Sequence, residues 1–105
     1  MMQSLLSWKG PFQLSKLYEN RIPYGAGVYK LLADADDPNS VVYIGAANNL
    51  RIEYVREIET HAQVRVAKAS AFAFAETPFP NDQADKLIDA FRRRHGRKPA
   101  LNSGF

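Results

Sequence analysis

Residues 27–45 read GVYKLLADADDPNSVVYIG: two short runs rich in β-branched and aromatic residues, Gly27 to Leu32 and Val41 to Gly45, separated by a polar stretch containing Asp37-Pro38-Asn39-Ser40. Runs of that composition bounded by turn formers are strands, and together they predict a hairpin. With the hairpin centred near Asp36, Tyr29 faces Tyr43 across the pair, and both hydroxyls lie on one side of the sheet within reach of a common ligand. Moving the centre by one residue changes the partners but preserves the shared face. Moving it by half a residue puts the tyrosines on opposite faces.

The remaining elements follow from period and punctuation. Residues before Ile22 contain Leu5, Leu6, Trp8, Phe12, Leu14 and Leu17 without a sustained period, and are expected to be irregular with a short helix around Leu14 to Tyr18. Asn48-Asn49 caps a helix whose apolar stripe is Leu50, Tyr54, Val55 and Ile58, with Arg51, Glu53, Arg56 and Glu57 on its polar side. Gln63 to Glu76 alternates like a long strand. Val64, Val66, Phe72 and Phe74 form one face; Ala67, Ala69, Ala71, Ala73 and Ala75 form the other, over which a helix can approach closely.

A last helix is predicted over Asp82 to His95 from Ala84, Leu87, Ile88 and Phe91, with Gly96 as its stop. Asp82, Asp85 and Asp89 occupy its first half and arginines its end, which matches the helix dipole. The expected fold is α+β, a three-stranded antiparallel sheet flanked by helices in the order β-β-α-β-α, as one domain over residues 1–105.

Composition narrows the function classes. The chain has no cysteine, so neither a disulfide framework nor a thiolate metal site is available. No stretch has the length of a signal-peptide core or a membrane span, and a cytoplasmic protein with no membrane partner is expected. The net charge is +3, yet residues 91–105 hold five cations, Arg92, Arg93, Arg94, Arg97 and Lys98, and no acid. That local excess is a candidate nucleic-acid contact, or a solvated helix end complementing the dipole. Asp34, Asp36, Asp37 and Asn39 do not make a calcium loop, because the sixth and twelfth places counted from Asp34 are Asn39 and Gly45. His61 and His95 have no partner at zinc-ligand spacing.

Gly27-Val28-Tyr29 on the first strand, Tyr43-Ile44-Gly45 on the second, Asn48-Asn49-Leu50-Arg51 opening the helix and the closing Pro99-Ala100-Leu101-Asn102 together resemble the GIY-YIG endonuclease superfamily. The approach through Gly10-Pro11-Phe12 and Ile22-Pro23 is similar to that of small members, so the resemblance covers roughly Pro11 to Asn102. It implies hydrolysis of DNA phosphodiesters around one divalent metal, Mg²⁺ or Mn²⁺, with tyrosines acting on water and phosphate, a helix arginine neutralising charge and an acid holding the metal.

Tyr29, Tyr43 and Asn102 match the pattern. The arginine position, ten residues beyond Tyr43, is Glu53, and Arg56 on nearly the same helix face is the substitute, Arg51 pointing elsewhere. Ala46 follows the second triplet, where the family often has lysine. The last helix has no glutamate, so Asp85 is the candidate metal ligand, with Asp89 and Glu76 as substitutes. Two readings follow: a metal-dependent nuclease using Tyr29, Tyr43, Arg56 and Asp85, or a catalytically degenerate domain that binds nucleic acid through Arg92 to Lys98 or engages a protein partner.

Overall fold

A computed structural model describes residues 6–63 and 69–102, with the backbone alone described at 61–63. Its main elements are β1 (Lys9–Gln13), β2 (Gly27–Leu32), β3 (Val41–Ala47), α1 (Leu50–Gln63), β4 (Ala71–Glu76) and α2 (Pro80–His95), with single 3-10 turns at Lys16–Arg21 and Ala100–Asn102. The strands form an antiparallel sheet in the order β1-β4-β2-β3. The α+β class and the flanking helices are as expected, but the sheet has four strands rather than three, and the order is β-β-β-α-β-α.

The extra strand, β1, adds to the outer edge of β4, with Phe12 beside Phe72 and Gln13 beside Ala71. Its ladder shifts register between Lys9 and Phe12, around Gly10-Pro11, where Gly10 takes φ +94°. Proline is tolerated on an edge because one side of the strand needs no ladder donor. All of β1 except Phe12 is exposed, so the segment shows no alternation for its sequence to display. The expected helix at Leu14 to Tyr18 is instead the 3-10 turn, capped by the Ser15 hydroxyl accepting from the Leu17 N–H.

The expected long strand from Gln63 is also corrected. α1 runs to Gln63 and the strand is confined to Ala71–Glu76, while Val64, Val66 and Ala67 lie outside the described residues. Within β4 the alternation holds: Phe72 and Phe74 share a core with Tyr29, Leu31, Leu50 and Tyr54, while Ala75 packs with Val28 and with Ala84 of α2. Ala69, expected on the alanine face, packs against the phenylalanine side. The two helices therefore cover opposite faces of the sheet, α1 over the aromatic face and α2 over the alanine face.

Aromatic contacts tie the first layer together. Tyr29 stacks on Phe72 at 5.1 Å between ring centroids, and Tyr54 meets Phe72 edge-on at 5.0 Å. The buried Tyr54 hydroxyl accepts from the Ser15 N–H and has the Gln13 and Ser15 carbonyls at 2.6 and 2.7 Å, which fixes α1 to the end of β1. Arg51 donates to the Ile22 carbonyl at 2.7 Å and to the Tyr24 hydroxyl at 2.9 Å, holding the segment before β2 and facing away from the tyrosine pair. α2 opens on Pro80, whose missing N–H costs nothing in a first turn, and closes on Gly96 at φ +76°.

Candidate functional site

The β2–β3 register pairs Tyr29 with Gly45 and Leu31 with Tyr43, so the hairpin centre lies one residue beyond Asp36. Tyr29 and Tyr43 are diagonal neighbours rather than direct partners, and they keep the shared face, with ring centroids 5.8 Å apart. Gly45 makes this possible. A Cβ at that position would stand 2.7 Å from Cζ and Oη of Tyr29 and 2.7 Å from Cε2 of Tyr43, so the Tyr29 ring lies over bare backbone.

Two carboxylates converge on the Tyr29 hydroxyl from successive turns of α1: Glu53 Oε2 at 3.3 Å and Glu57 Oε2 at 3.4 Å. A phenol has one proton, so it donates to one of them at a time. Tyr29 is only 3% exposed, and its pKa is raised far above that of a free tyrosine, first by burial and then by the charges of Glu53 and Glu57. Glu57 is pushed up to about 7, first by burial and then by hydrogen bonding to and repulsion from Glu53, against the lowering influence of Tyr29 and Arg56. Near neutrality Glu57 therefore still holds a proton part of the time, where a free glutamate has lost it.

Arg56 joins this cluster at Glu53, with a guanidinium nitrogen 3.1 Å from Oε1. Its side chain is 65% exposed and that of Glu53 15%, so the pair contributes about 0–1 kcal/mol of stability. A depression of about 320 Å³ lies beside it, lined by Ala46, Ala47, Asn48, Asn49, Ile52, Glu53 and Arg56. The expected cap is present there as Asn49 Oδ1 accepting from the Ile52 N–H at 3.1 Å.

Other candidates are placed elsewhere. Asn102 uses its whole amide on the open edge of β3: Oδ1 accepts from the Ile44 N–H at 2.8 Å, and Nδ2 donates to the Ile44 carbonyl at 2.9 Å. Asp85 is exposed on α2, across the sheet from both tyrosines, and the charged groups acting on Tyr29 are those of α1. Asp85 and the tyrosines therefore do not fit a common metal ion. Among the described residues, no three His, Cys, Asp or Glu side chains gather in a metal-binding arrangement. Glu76 is exposed at the end of β4.

Asp89 is taken up by the basic cluster, accepting from Arg92 at 2.8 Å and from Arg93 Nε at 2.9 Å, and these guanidiniums hold its carboxyl below the usual range. Among the described residues, Arg94, Arg97 and Lys98 have no carboxylate partner. Arg97 instead caps the Lys98 carbonyl at 3.1 Å and lies 5.9 Å from the Phe91 ring.

Glu57 is the participant that sequence reasoning assigned only to a polar helix face. Its one signal was the four-residue spacing from Glu53, which places two carboxylates on one stripe. Among the described residues, no helix is long and apolar enough to cross a membrane. Compared with protein-family models, curated proteins and solved structures, the chain shows no match to any of them.

Proposed function

We propose that the chain is a GIY-YIG-like domain of nuclease ancestry that binds DNA through the basic end of α2 and no longer hydrolyses phosphodiesters at its tyrosine pair. The observation that carries this reading is the Glu53 carboxylate 3.3 Å from the Tyr29 hydroxyl, with Glu57 at 3.4 Å. A phosphodiester brought there would meet two acids in place of an arginine. Like charges about 4 Å apart repel by roughly 4 kcal/mol in partly screened protein surroundings. Burial and the same acids hold the Tyr29 proton, which opposes a role as base.

On the other face, Arg94, Arg97 and Lys98 carry charge that no carboxylate neutralises among the described residues. Three phosphate contacts from these side chains correspond to a log affinity against log salt slope of roughly −3 on duplex DNA. Fluorescence anisotropy with a labelled duplex should give that slope, and Arg97→Ala with Lys98→Ala should flatten it by about 2. Binding that is absent or insensitive to salt would overturn the DNA reading in favour of a protein partner. Plasmid nicking with Mg²⁺ or Mn²⁺, abolished by chelator and by Tyr43→Phe, would reinstate the hydrolase.

A further inference from the structure

Between α2 and the alanine face of the sheet lies a pocket of about 240 Å³, separated by the sheet from the tyrosine pair. Lys30, Arg94, His95 and Asn39 supply its polar groups, Ile44 and Phe91 are among its apolar ones, and none of its described lining residues is acidic. Lys30 stands out. It projects from the middle of β2, is half-buried, and its ammonium sits 4.1 Å from the centroid of the Trp8 ring, with no carboxylate paired to it among the described residues. Burial lowers its pKa, the mark of a cation removed from water without a counter-ion. Lysines are rarely buried unless paired.

The neighbouring helix leaves the same charge uncompensated. Asp89 engages Arg92 and Arg93, and Arg94 reaches the pocket with no acid paired to it among the described residues. Ammonium, guanidinium, imidazole and carboxamide together offer more donors than the two oxygens of a carboxylate can accept, and suit a phosphate dianion with its three terminal oxygens. The pocket has room for more than a bare phosphate, and the apolar walls suit a ring-sized body attached to it.

We propose that this pocket, lined by Lys30, Arg94 and His95, binds a phosphate monoester carried on a compact ring-sized body, either a free small molecule or the phosphorylated end of a nucleic-acid strand. The site shares Arg94 with the DNA reading above but stands on Lys30 and the pocket, and the two are separable by variants that spare both residues. Arg97→Ala with Lys98→Ala should weaken duplex binding and leave this pocket intact.

Trp8 is the single tryptophan and lies against Lys30, so its fluorescence reports the site directly. Titration of the full chain with phenyl phosphate should give a saturable change, matched by calorimetry, with phenol and benzoate much weaker. Lys30→Met and Arg94→Gln should each weaken calorimetric binding about tenfold or more, the loss of one charge-assisted contact. Circular dichroism would confirm that both variants remain folded, and Lys30→Met relieves a buried charge. If a 5′-phosphorylated oligonucleotide outcompetes its 5′-hydroxyl twin in a Lys30-dependent manner, the ligand is a strand end; if phenyl phosphate alone binds, it is a free monoester. Benzoate binding as well as phenyl phosphate would overturn the phosphate assignment. No saturable binding below about 10 mM, or equal binding by wild type and both variants, would overturn the site.

Discussion

Replacing Glu57 by glutamine tests the carboxylate pair through its effect on stability against pH. Glu57 has a value of about 7 in the folded chain against 4.5 for a free glutamate. The folded state therefore binds more protons than the unfolded one between those two values, and stability must fall as pH rises through that window. The stabilising contribution is complete below pH 4.5 and lost above 7, the reverse of the usual salt-bridged carboxylate.

At about 1.4 kcal/mol per tenfold change in proton affinity, the full effect is of order 3 kcal/mol. Glu57 is only partly buried, so solvent reduces this, and about 1–2 kcal/mol is expected. Glu57→Gln is neutral at every pH. Its stability should match that of wild type near pH 4.5 and exceed it by that amount at pH 8, a urea midpoint shift on the order of 1 M. Tyr29→Phe removes the hydrogen bond that favours the charged form of Glu57, so it should raise the glutamate's pKa further and move the wild-type loss to higher pH. Parallel stability curves for wild type and Glu57→Gln from pH 5 to 8 would refute the reasoning.

Asn102→Ala strips both hydrogen bonds from Ile44 on the open edge of β3 and should cost about 1–2 kcal/mol in urea unfolding, because water can reach only part of the vacated groups. Faster hydrogen exchange at the Ile44 amide should accompany it, and an unchanged exchange rate would contradict the clamp. Gly45→Ala drives a methyl into both tyrosine rings and should cost about 1–3 kcal/mol. A double-mutant cycle with Tyr29→Leu should recover part of that loss, whereas strictly additive losses would place the strain elsewhere.

The hairpin and α2 were legible because each states its periodicity locally: alternating or β-branched runs about Asp37-Pro38, and the stripe Ala84, Leu87, Ile88 and Phe91 before Gly96. The common face of Tyr29 and Tyr43 survived a register error because whole-residue shifts of a hairpin centre preserve parity. β1 was not legible, since an exposed edge strand interrupted by Gly10-Pro11 is defined by its pairing with β4 and not by its own pattern. Alternation in 63–76 described β4 correctly from Ala71 onward, while Gln63 closes α1 and Ala69 and Ser70 precede the strand; residues 64–68 lie outside the described ones. Among site residues, Glu53 was visible as an acid where the resemblance to GIY-YIG nucleases implies an arginine, whereas Glu57 and Lys30 gained meaning only from what folds against them.

Those two residues are connected through β2. Tyr29 and Lys30 are adjacent, and the two-residue period of a strand sends the phenol to the face under α1 and the ammonium to the face under α2. The two helices then bring opposite charges to the two faces: α1 adds Glu53 and Glu57 around the neutral phenol, while α2 adds Arg94 beside the lysine. Phosphodiester chemistry of the GIY-YIG kind needs a guanidinium beside the tyrosines, and in this chain the uncompensated cations stand one strand's thickness away. A single exchange at position 53 cannot restore that arrangement, because Glu57 remains on the same stripe and within reach of the same hydroxyl. Glu53→Arg alone should therefore pair with Glu57 rather than with phosphate, and Glu53→Arg with Glu57→Gln is the smallest change that frees a guanidinium at Tyr29. DNA retention on that face by the double variant and not by the single one would bear this out; equal retention by both would show that Glu57 does not guard the site.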